Sequence, residues 1–251
     1  MNIITVTKEN LEQEHICCAI SNNSDCQVNA KKSWLAERFD DGLVFKKGDV
    51  RGKCFIEYIP AEKAWCPIEA DGYMFINCLW ISGQFKGMGY SNMFLEECVK
   101  DSKEKGKVGL VMLSSKKKMP YLSDSKYLKY KNFEVVDTVG PYYELMCLSF
   151  EKNAKNPHFK ETVKTLKISE MGFVLYYAYQ CPFTAKYVPL IDKIAKSKGI
   201  PFKAIRFETT DQAQNAPAPF TSYSLFYNGE FVTNEILSEK KFNKIITEKG
   251  M

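Results

Sequence analysis

The chain has 251 residues, enough for two modest cores of roughly 100–150 residues each. Its 45% hydrophobic, 14% aromatic and 26% charged residues exclude gross disorder and a fibrous repeat. A net charge of +5, from 35 basic and 30 acidic residues, is too balanced to argue for nucleic acid, although it tolerates an anionic ligand. No apolar run reaches the roughly 20 residues that cross a bilayer, and the opening MNIITVTKENLEQE lacks a basic segment followed by an apolar one. A cytoplasmic protein with no membrane partner is therefore expected. The nine cysteines, at 17, 18, 26, 54, 66, 78, 98, 147 and 181, form no C-x-x-C and no spaced ligand cluster, so neither a disulfide scaffold nor a metal site is expected.

In chain order, residues 3–6 read as a strand, and Thr7 can cap a helix over 7–20 with Leu11, His15, Cys18 and Ala19 on one face. Short strands at 43–45 and 53–59 form a hairpin around Lys47, Gly48 and Asp49. Residues 73–81 are the most apolar strand of the first half, which suits a central position. A helix follows, with Tyr90, Met93, Phe94 and Cys98 at helical spacing and Gly106 as its stop. A buried strand at 108–113, the run Lys116, Lys117, Lys118, a helix near 123–131 and strands at 133–139 and 142–150 complete the first unit. Residues 151–169 carry five lysines against two glutamates and read as a partly helical linker. The pattern then restarts with a strand at 173–179, a helix at 184–198, a strand at 202–207, a hairpin of 223–227 and 230–233 turning at Asn228-Gly229, and a helix at 238–248.

The central strand runs straight into Gly83-Gln84-Phe85-Lys86-Gly87-Met88-Gly89 and then a helix. Successive backbone N–H groups and the helix dipole converge at such a junction and favour an anion, and glycine lets it approach the backbone. A Rossmann reading fails, because there is no third glycine in G-x-G-x-x-G and the strand is not an early one. The segment from Leu79 through Gly89, with its amphipathic helix and following strand, resembles the acyl-CoA signature of the GNAT acyltransferase superfamily over residues 1–150. The resemblance implies a mixed central sheet flanked by helices and acetyl-CoA as co-substrate. Its pyrophosphate would lie on the amides of Gln84, Phe85, Lys86, Gly87, Met88 and Gly89, and its pantetheine arm along Leu79, Trp80 and Ile81. Lys131-Asn132-Phe133-Glu134-Val135-Val136 is similar to the family's L-G-F-E-x-V, with Asn132 in place of glycine, and asparagine tolerates a left-handed backbone.

Many GNAT enzymes carry a tyrosine five residues before that phenylalanine, to protonate the departing thiolate. Position 128 is leucine here, so the acid falls to a neighbour, Tyr127 or Tyr130, with Tyr127 preferred. Glu57, on a strand, is a conceivable base or simply an exposed, solvated carboxylate. The lysine run 116–118 is either a contact for CoA phosphates or a solvated edge.

Cys181 opens Cys181-Pro182-Phe183-Thr184 at the mouth of a helix, where unpaired amides favour a thiolate. Together with Pro189 and Phe226-Tyr227-Asn228-Gly229-Glu230, it resembles the thioredoxin-like fold over residues 170–251. Thr184 replaces the second cysteine of C-x-x-C, and Pro219 lies about two residues earlier than the proline before the third strand in thioredoxins. The whole arrangement, including Met119-Pro120-Tyr121-Leu122-Ser123-Asp124, resembles the YoaP-type acetyltransferases. The expected architecture is thus α/β: a GNAT domain at 1–150, a linker at 151–169 and a thioredoxin-like domain at 170–251. The expected function is transfer of an acetyl or small acyl group from acyl-CoA to a primary amine of a small molecule or peptide. The carboxy-terminal domain would then recognise substrate or partner. The alternative is a thiol-active or thiol-binding module, with Cys181 reactive and the GNAT part only sensing acyl-CoA.

Overall fold

The computed structural model describes residues 1–16 and 22–250, and it builds the chain on two mixed sheets. The first draws on β1 (Ile3–Val6), β2 (Val44–Gly48), β3 (Cys54–Pro60), β5 (Tyr73–Ile81), β6 (Gly109–Ser115), β7 (Ser123–Asp124), β8 (Glu134–Val139) and β9 (Tyr143–Ser149), with the two-residue β4 (Ile68–Glu69) standing apart. Its order is β1-β2-β3-β5-β6-β9-β8, with β7 added beside β6. Neighbours run antiparallel except β5 with β6 and β6 with β7. The helices are α1 (Cys26–Arg38), α2 (Tyr90–Glu104) and α3 (Ser125–Tyr130).

The second sheet combines β11 (Phe173–Tyr177), β12 (Phe202–Arg206), β13 (Tyr223–Tyr227) and β14 (Glu230–Thr233) in the order β12-β11-β13-β14, with only β11 and β12 parallel. Between the sheets lies β10 (His158–Phe159), and α4 (Thr184–Ser197), α5 (Thr210–Gln214) and α6 (Glu239–Glu248) complete the chain. The hairpin turn takes Asn228 at φ 47° and Gly229 at φ 84°, as the expected Asn-Gly pair requires. Pro189 lies inside α4.

Packing ties the halves together. One face of the first sheet carries Ile56, Tyr58, Met74, Ile76, Leu110 and Met112 against Phe94, Leu95 and Cys98 of α2. The opposite face belongs to a core that runs on from Trp34, Phe55, Trp65, Phe75 and Val111 into Ala178, Phe207, Ala213 and Phe226 of the second half. A third cluster fills the far side of the second sheet, where Val188, Ile191, Phe242 and Ile246 pack on Leu175 and Leu225.

Three expectations differ from the structure. No helix occupies residues 7–16: the Thr7 N–H is taken by Asn10 Oδ1 at 2.8 Å, and a run of turns follows. Cys18 and Ala19 lie outside the described residues. The first helix is instead α1, capped by Asp25, whose carboxylate accepts from Gln27 N at 2.9 Å. Residues 151–169 connect the sheets but are packed rather than loose. β10 pairs with β4, and Phe159 and Val163 are fully buried. One 3₁₀ turn, Glu161–Val163, is the helical part of this segment. Asp137 clamps the segment, accepting from the Phe159 N–H at 2.8 Å and from Lys164 Nζ at 2.8 Å. Lys47 and Gly48 belong to β2 rather than to a turn.

Candidate functional site

The strand-to-helix junction has the geometry of an anion cradle. Gly87 and Gly89 both sit at φ 78°, a left-handed conformation, and Gly89 caps the amino end of α2. The N–H groups of Gly87, Met88, Gly89, Tyr90 and Ser91 have no acceptor among the described residues. A Cβ built on Gly83, Gly87 or Gly89 meets nothing within 4 Å, so the space above this backbone is open. Beside it lies a cleft of about 450 Å³. Of the nine residues expected at a cofactor, Leu79, Trp80, Ile81, Phe85, Lys86, Gly87 and Gly89 line this cleft, whereas Gln84 and Met88 do not. Met88 points outward and is 56% exposed. Five donors around open space, with the Lys86 cation beside them, suit a pyrophosphate.

The first sheet opens next to this cleft. β5 and β6 pair from Tyr73↔Gly109 only as far as Ile76↔Met112; beyond that β5 stays with β3 while β6 continues along β9. A bulge falls at the fork, because Glu57 pairs with Cys78 and Tyr58 with Ile76, leaving Asn77 unpaired in register. The fork holds a second cavity of about 550 Å³, which shares Leu79, Trp80 and Tyr127 with the first cleft. Its far wall comes from the carboxy-terminal half: Gln180, Pro219, Phe220, Thr221 and Ser222. That wall is held in place by Thr221 Oγ1 donating to Trp65 O at 2.5 Å and Asn234 Nδ2 donating to Pro120 O at 3.1 Å.

Tyr127 stands between the two spaces. It rides on α3, which Asp124 caps by accepting from Lys126 N at 2.8 Å and which Ser125 Oγ fixes by donating to Glu144 Oε2 at 2.7 Å. Burial lifts the Tyr127 phenol above its usual 10.0, and the Ser91 hydroxyl offsets part of that rise. Tyr130 is 77% exposed and lines neither space. Lys118 lines the fork cavity rather than the cradle, and Lys116 and Lys117 line neither.

Glu57 is a correction. Far from being exposed, it is 1% accessible, held by Lys31 Nζ at 2.5 Å and by Asn77 Nδ2 at 2.9 Å. Lys31 also donates to Gln180 O at 2.7 Å, so this buried pair links α1, the bulge and the carboxy-terminal half. A carboxylate so enclosed supports the site rather than collecting protons from solvent. Asn77 and Lys31 were not singled out in the sequence, and the bulge that makes Asn77 special is a register event with no local signature.

Cys181 follows the cavity-lining Gln180 and precedes α4, and it is close enough to Cys78 to raise the latter's pKa. Burial, then the Glu57 charge, push Cys78 up to about 12. Thr184, at the position of a second cysteine, is fully buried, its hydroxyl 2.9 Å from Ala178 O and 2.8 Å from Cys181 O. The only cis peptide bond among the described residues is Gly140–Pro141, so the bond before Pro219 is trans.

Residues 201–244 match the family model described as YoaP-like. The uncharacterized N-acetyltransferase YoaP of Bacillus subtilis (strain 168) is 42% identical over 247 residues, covering 98% of each chain. Among solved structures, the PaiA N-acetyltransferase from Thermoplasma acidophilum in complex with coenzyme A is 17% identical, covers 60% of this chain and 100% of its own, and has a TM-score of 0.41. A GNAT family acetyltransferase from Brucella melitensis in complex with acetyl-CoA is 12% identical, covers 62% and 91%, and has a TM-score of 0.39. Full-length likeness at 42% identity places the chain in the YoaP family of N-acetyltransferases.

Proposed function

We propose that the chain transfers an acetyl group from acetyl-CoA to a primary amine, using a GNAT-type domain over residues 1–150 and a thioredoxin-like domain over residues 170–251 that completes the acceptor site. The observation that carries this reading is the adjacency of the two spaces: an anion cradle and a cavity at the fork of the sheet share Leu79, Trp80 and Tyr127 as lining residues. Acetyl-CoA supplies the thioester. The open amides from Gly87 to Ser91 and the Lys86 cation hold its pyrophosphate, and the end of β5, at Leu79, Trp80 and Ile81, has backbone groups no longer engaged by β6 to guide the pantetheine arm. The acceptor enters the fork cavity, so the reacting atoms meet beside Tyr127. A phenol kept protonated by burial serves as general acid to the departing thiolate.

The order β12-β11-β13-β14, with a helix after the first strand and Pro189 within it, supports the thioredoxin-like reading of the second sheet. Its residues Gln180 and Pro219 through Ser222 line the fork cavity, which supports its share in the acceptor site. Product analysis tests the proposal: N-acetylated amine and CoA should form together, and only when an amine is added.

A second reading is favoured by one observation, the position of Cys181 beside a cavity residue and close to Cys78. There the carboxy-terminal half acts through the Cys181 thiol, and Thr184 leaves the motif without a resolving partner, so oxidation would end in a mixed disulfide.

A further inference from the structure

The fork cavity is largely apolar, with Trp65, Phe75, Trp80, Met112, Tyr121 and Phe220 among its walls, and Lys118 and Asp124 are the charged residues that line it. Lys118 is exposed, and among the described residues its ammonium has neither an ion pair nor a hydrogen bond. The loop that carries it, between β6 and β7, is nevertheless fixed at several points. Lys116 N donates to Tyr142 O at 2.9 Å, Ser115 Oγ to Lys117 O at 2.7 Å, and Asn234 Nδ2 to Pro120 O at 3.1 Å. On the same loop Tyr121 lines the cavity with φ 66°, a left-handed conformation that a non-glycine residue keeps only where its surroundings impose it, and its ring meets Phe183 at 6.4 Å. A free cation is thus presented at an aromatic cavity by a braced segment.

The opposite charge has its own place. Asp124 caps α3 with Oδ1, which accepts from Lys126 N at 2.8 Å, and among the described residues its carboxylate has no ion pair, with Lys118 or any other cation. Tyr127 follows three residues later, a spacing that brings both residues to one face of the helix, and it lines both spaces. A cation drawn to Asp124 therefore lies on the side of the proton donor. One positive and one negative group, neither neutralised by the protein, complement a ligand that carries both charges itself. A phosphate, with nearly two negative charges, would exceed the single lysine and face Asp124 with the remainder.

We infer that the acceptor is an amino acid with an aromatic or large apolar side chain, its carboxylate held by Lys118 and its ammonium drawn toward Asp124. The inference rests on the acyltransfer reading above and names the substrate class of that site. The side chain fills the apolar body of the cavity, where its burial supplies affinity. The ammonium releases one proton to water beside the exposed Asp124, and the nitrogen lone pair is then free. The bond from nitrogen to the acetyl carbon forms as the carbon–sulfur bond breaks. Tyr127 gives its proton to the sulfur, and the second proton lost by nitrogen returns to the phenolate through solvent. Zwitterion and acetyl-CoA thus give N-acetylamino acid, CoA and one proton. Acetylation removes the positive charge that Asp124 attracts, so the product is held less well than the substrate.

Steady-state kinetics by mass spectrometry test this on the full chain, with acetyl-CoA affinity measured in parallel by calorimetry. The probes are phenylalanine, 2-phenylethylamine, which lacks only the carboxylate, O-phosphoethanolamine and spermidine. Phenylalanine should be acetylated with kcat/KM about tenfold or more above 2-phenylethylamine, the worth of one charged hydrogen bond, and further above the other two. Lys118→Met keeps the stem and removes the charge, and should bring phenylalanine down to the level of 2-phenylethylamine through KM. Asp124→Asn keeps a capping oxygen for α3 and should raise KM for both amines. Equal use of phenylalanine and 2-phenylethylamine, preference for O-phosphoethanolamine or spermidine, or an unchanged KM for phenylalanine in either variant would overturn the inference. So would no turnover of any probe despite tight acetyl-CoA binding, and so would a loss of acetyl-CoA affinity in Lys118→Met, which would give that lysine to the CoA phosphates. Failure of the unaltered protein to bind acetyl-CoA would instead overturn the acyltransfer reading beneath it.

Discussion

Gly87→Val isolates what the glycine loop does. Gly87 holds φ 78°, and a Cβ there meets no atom within 4 Å, so the substituent has room in the protein itself. The left-handed conformation costs an L-residue roughly 1–2 kcal/mol and a β-branched one somewhat more, against a typical domain stability of about 5–15 kcal/mol. The variant should fold. Its isopropyl group, however, projects into the cleft lined by Gly87 itself, where an anion must approach the unpartnered amides from Gly87 to Ser91. Hydrogen bonds to a charged group contribute about 1.5–3 kcal/mol each, so losing two weakens acetyl-CoA by roughly 10²-fold to 10⁴-fold. Gly106→Val is the matched control: φ 67°, open space again, but at the far end of α2 and away from both spaces. Calorimetry on both, beside thermal melts, should show similar melting losses and a large affinity loss in Gly87→Val alone. Unchanged affinity in a folded Gly87→Val would refute the assignment of the cradle, and equal losses in both variants would make strain the cause.

Other outcomes follow from the same geometry. Tyr127→Phe should lower kcat by about 10²-fold or more with little change in KM, whereas Tyr130→Phe on the exposed side should be silent; equal turnover in all three proteins would move the acid elsewhere. Burial would raise the Asp137 carboxyl, but hydrogen bonds from Lys164 Nζ and the Phe159 and Thr138 N–H groups hold it below 3.8. Its contribution is therefore present at pH above about 4 and lost as pH falls through the depressed value, a loss that Asp137→Asn should abolish in acid melts. Brief alkylation at neutral pH with peptide mapping should label Cys181 ahead of the exposed Cys26 and well ahead of Cys78, and labelling no faster than Cys26 would end the reactive-thiol reading. Because one core cluster spans both sheets, calorimetric unfolding should show a single transition, and two resolved ones would contradict the shared core.

Legibility varied with how local each signal was. The loop from Gly83 to Gly89, the stop at Gly106, the turn at Asn228 and the left-handed Asn132, at φ 62°, are set by residue type at one position, and each is where the sequence puts it. Helix α1 was hidden because half of its buried residues are polar: Gln27, Lys31 and Lys32 are buried beside Val28, Trp34 and Leu35, and the lysines are satisfied by Glu57, Gln180 O and Glu12 O from distant segments. The lysines interrupt the apolar stripe that would mark such a helix. Thr7 misled for the opposite reason, since a good capping residue precedes Leu11 but the following Asn10 closes a turn on it. Residues 151–169 look like a linker by composition, yet Phe159 and Val163 are enough to seat them. At the site, the cradle residues were readable as a contiguous motif. The fork cavity was not, because Asn77, Gln180 and Thr221 come to line one space only through a bulge and the docking of two sheets.

The central claim is that acetyl-CoA held on the glycine loop gives its acetyl group to an amine in the fork cavity. Its most direct test is to incubate the full chain with acetyl-CoA, with and without 2-phenylethylamine, and to quantify CoA and N-acetylamine by mass spectrometry. CoA and N-acetylamine should appear in equal amounts, with negligible CoA when the amine is omitted. Acetyl-CoA that binds but is consumed at the same rate with and without amine would contradict the claim.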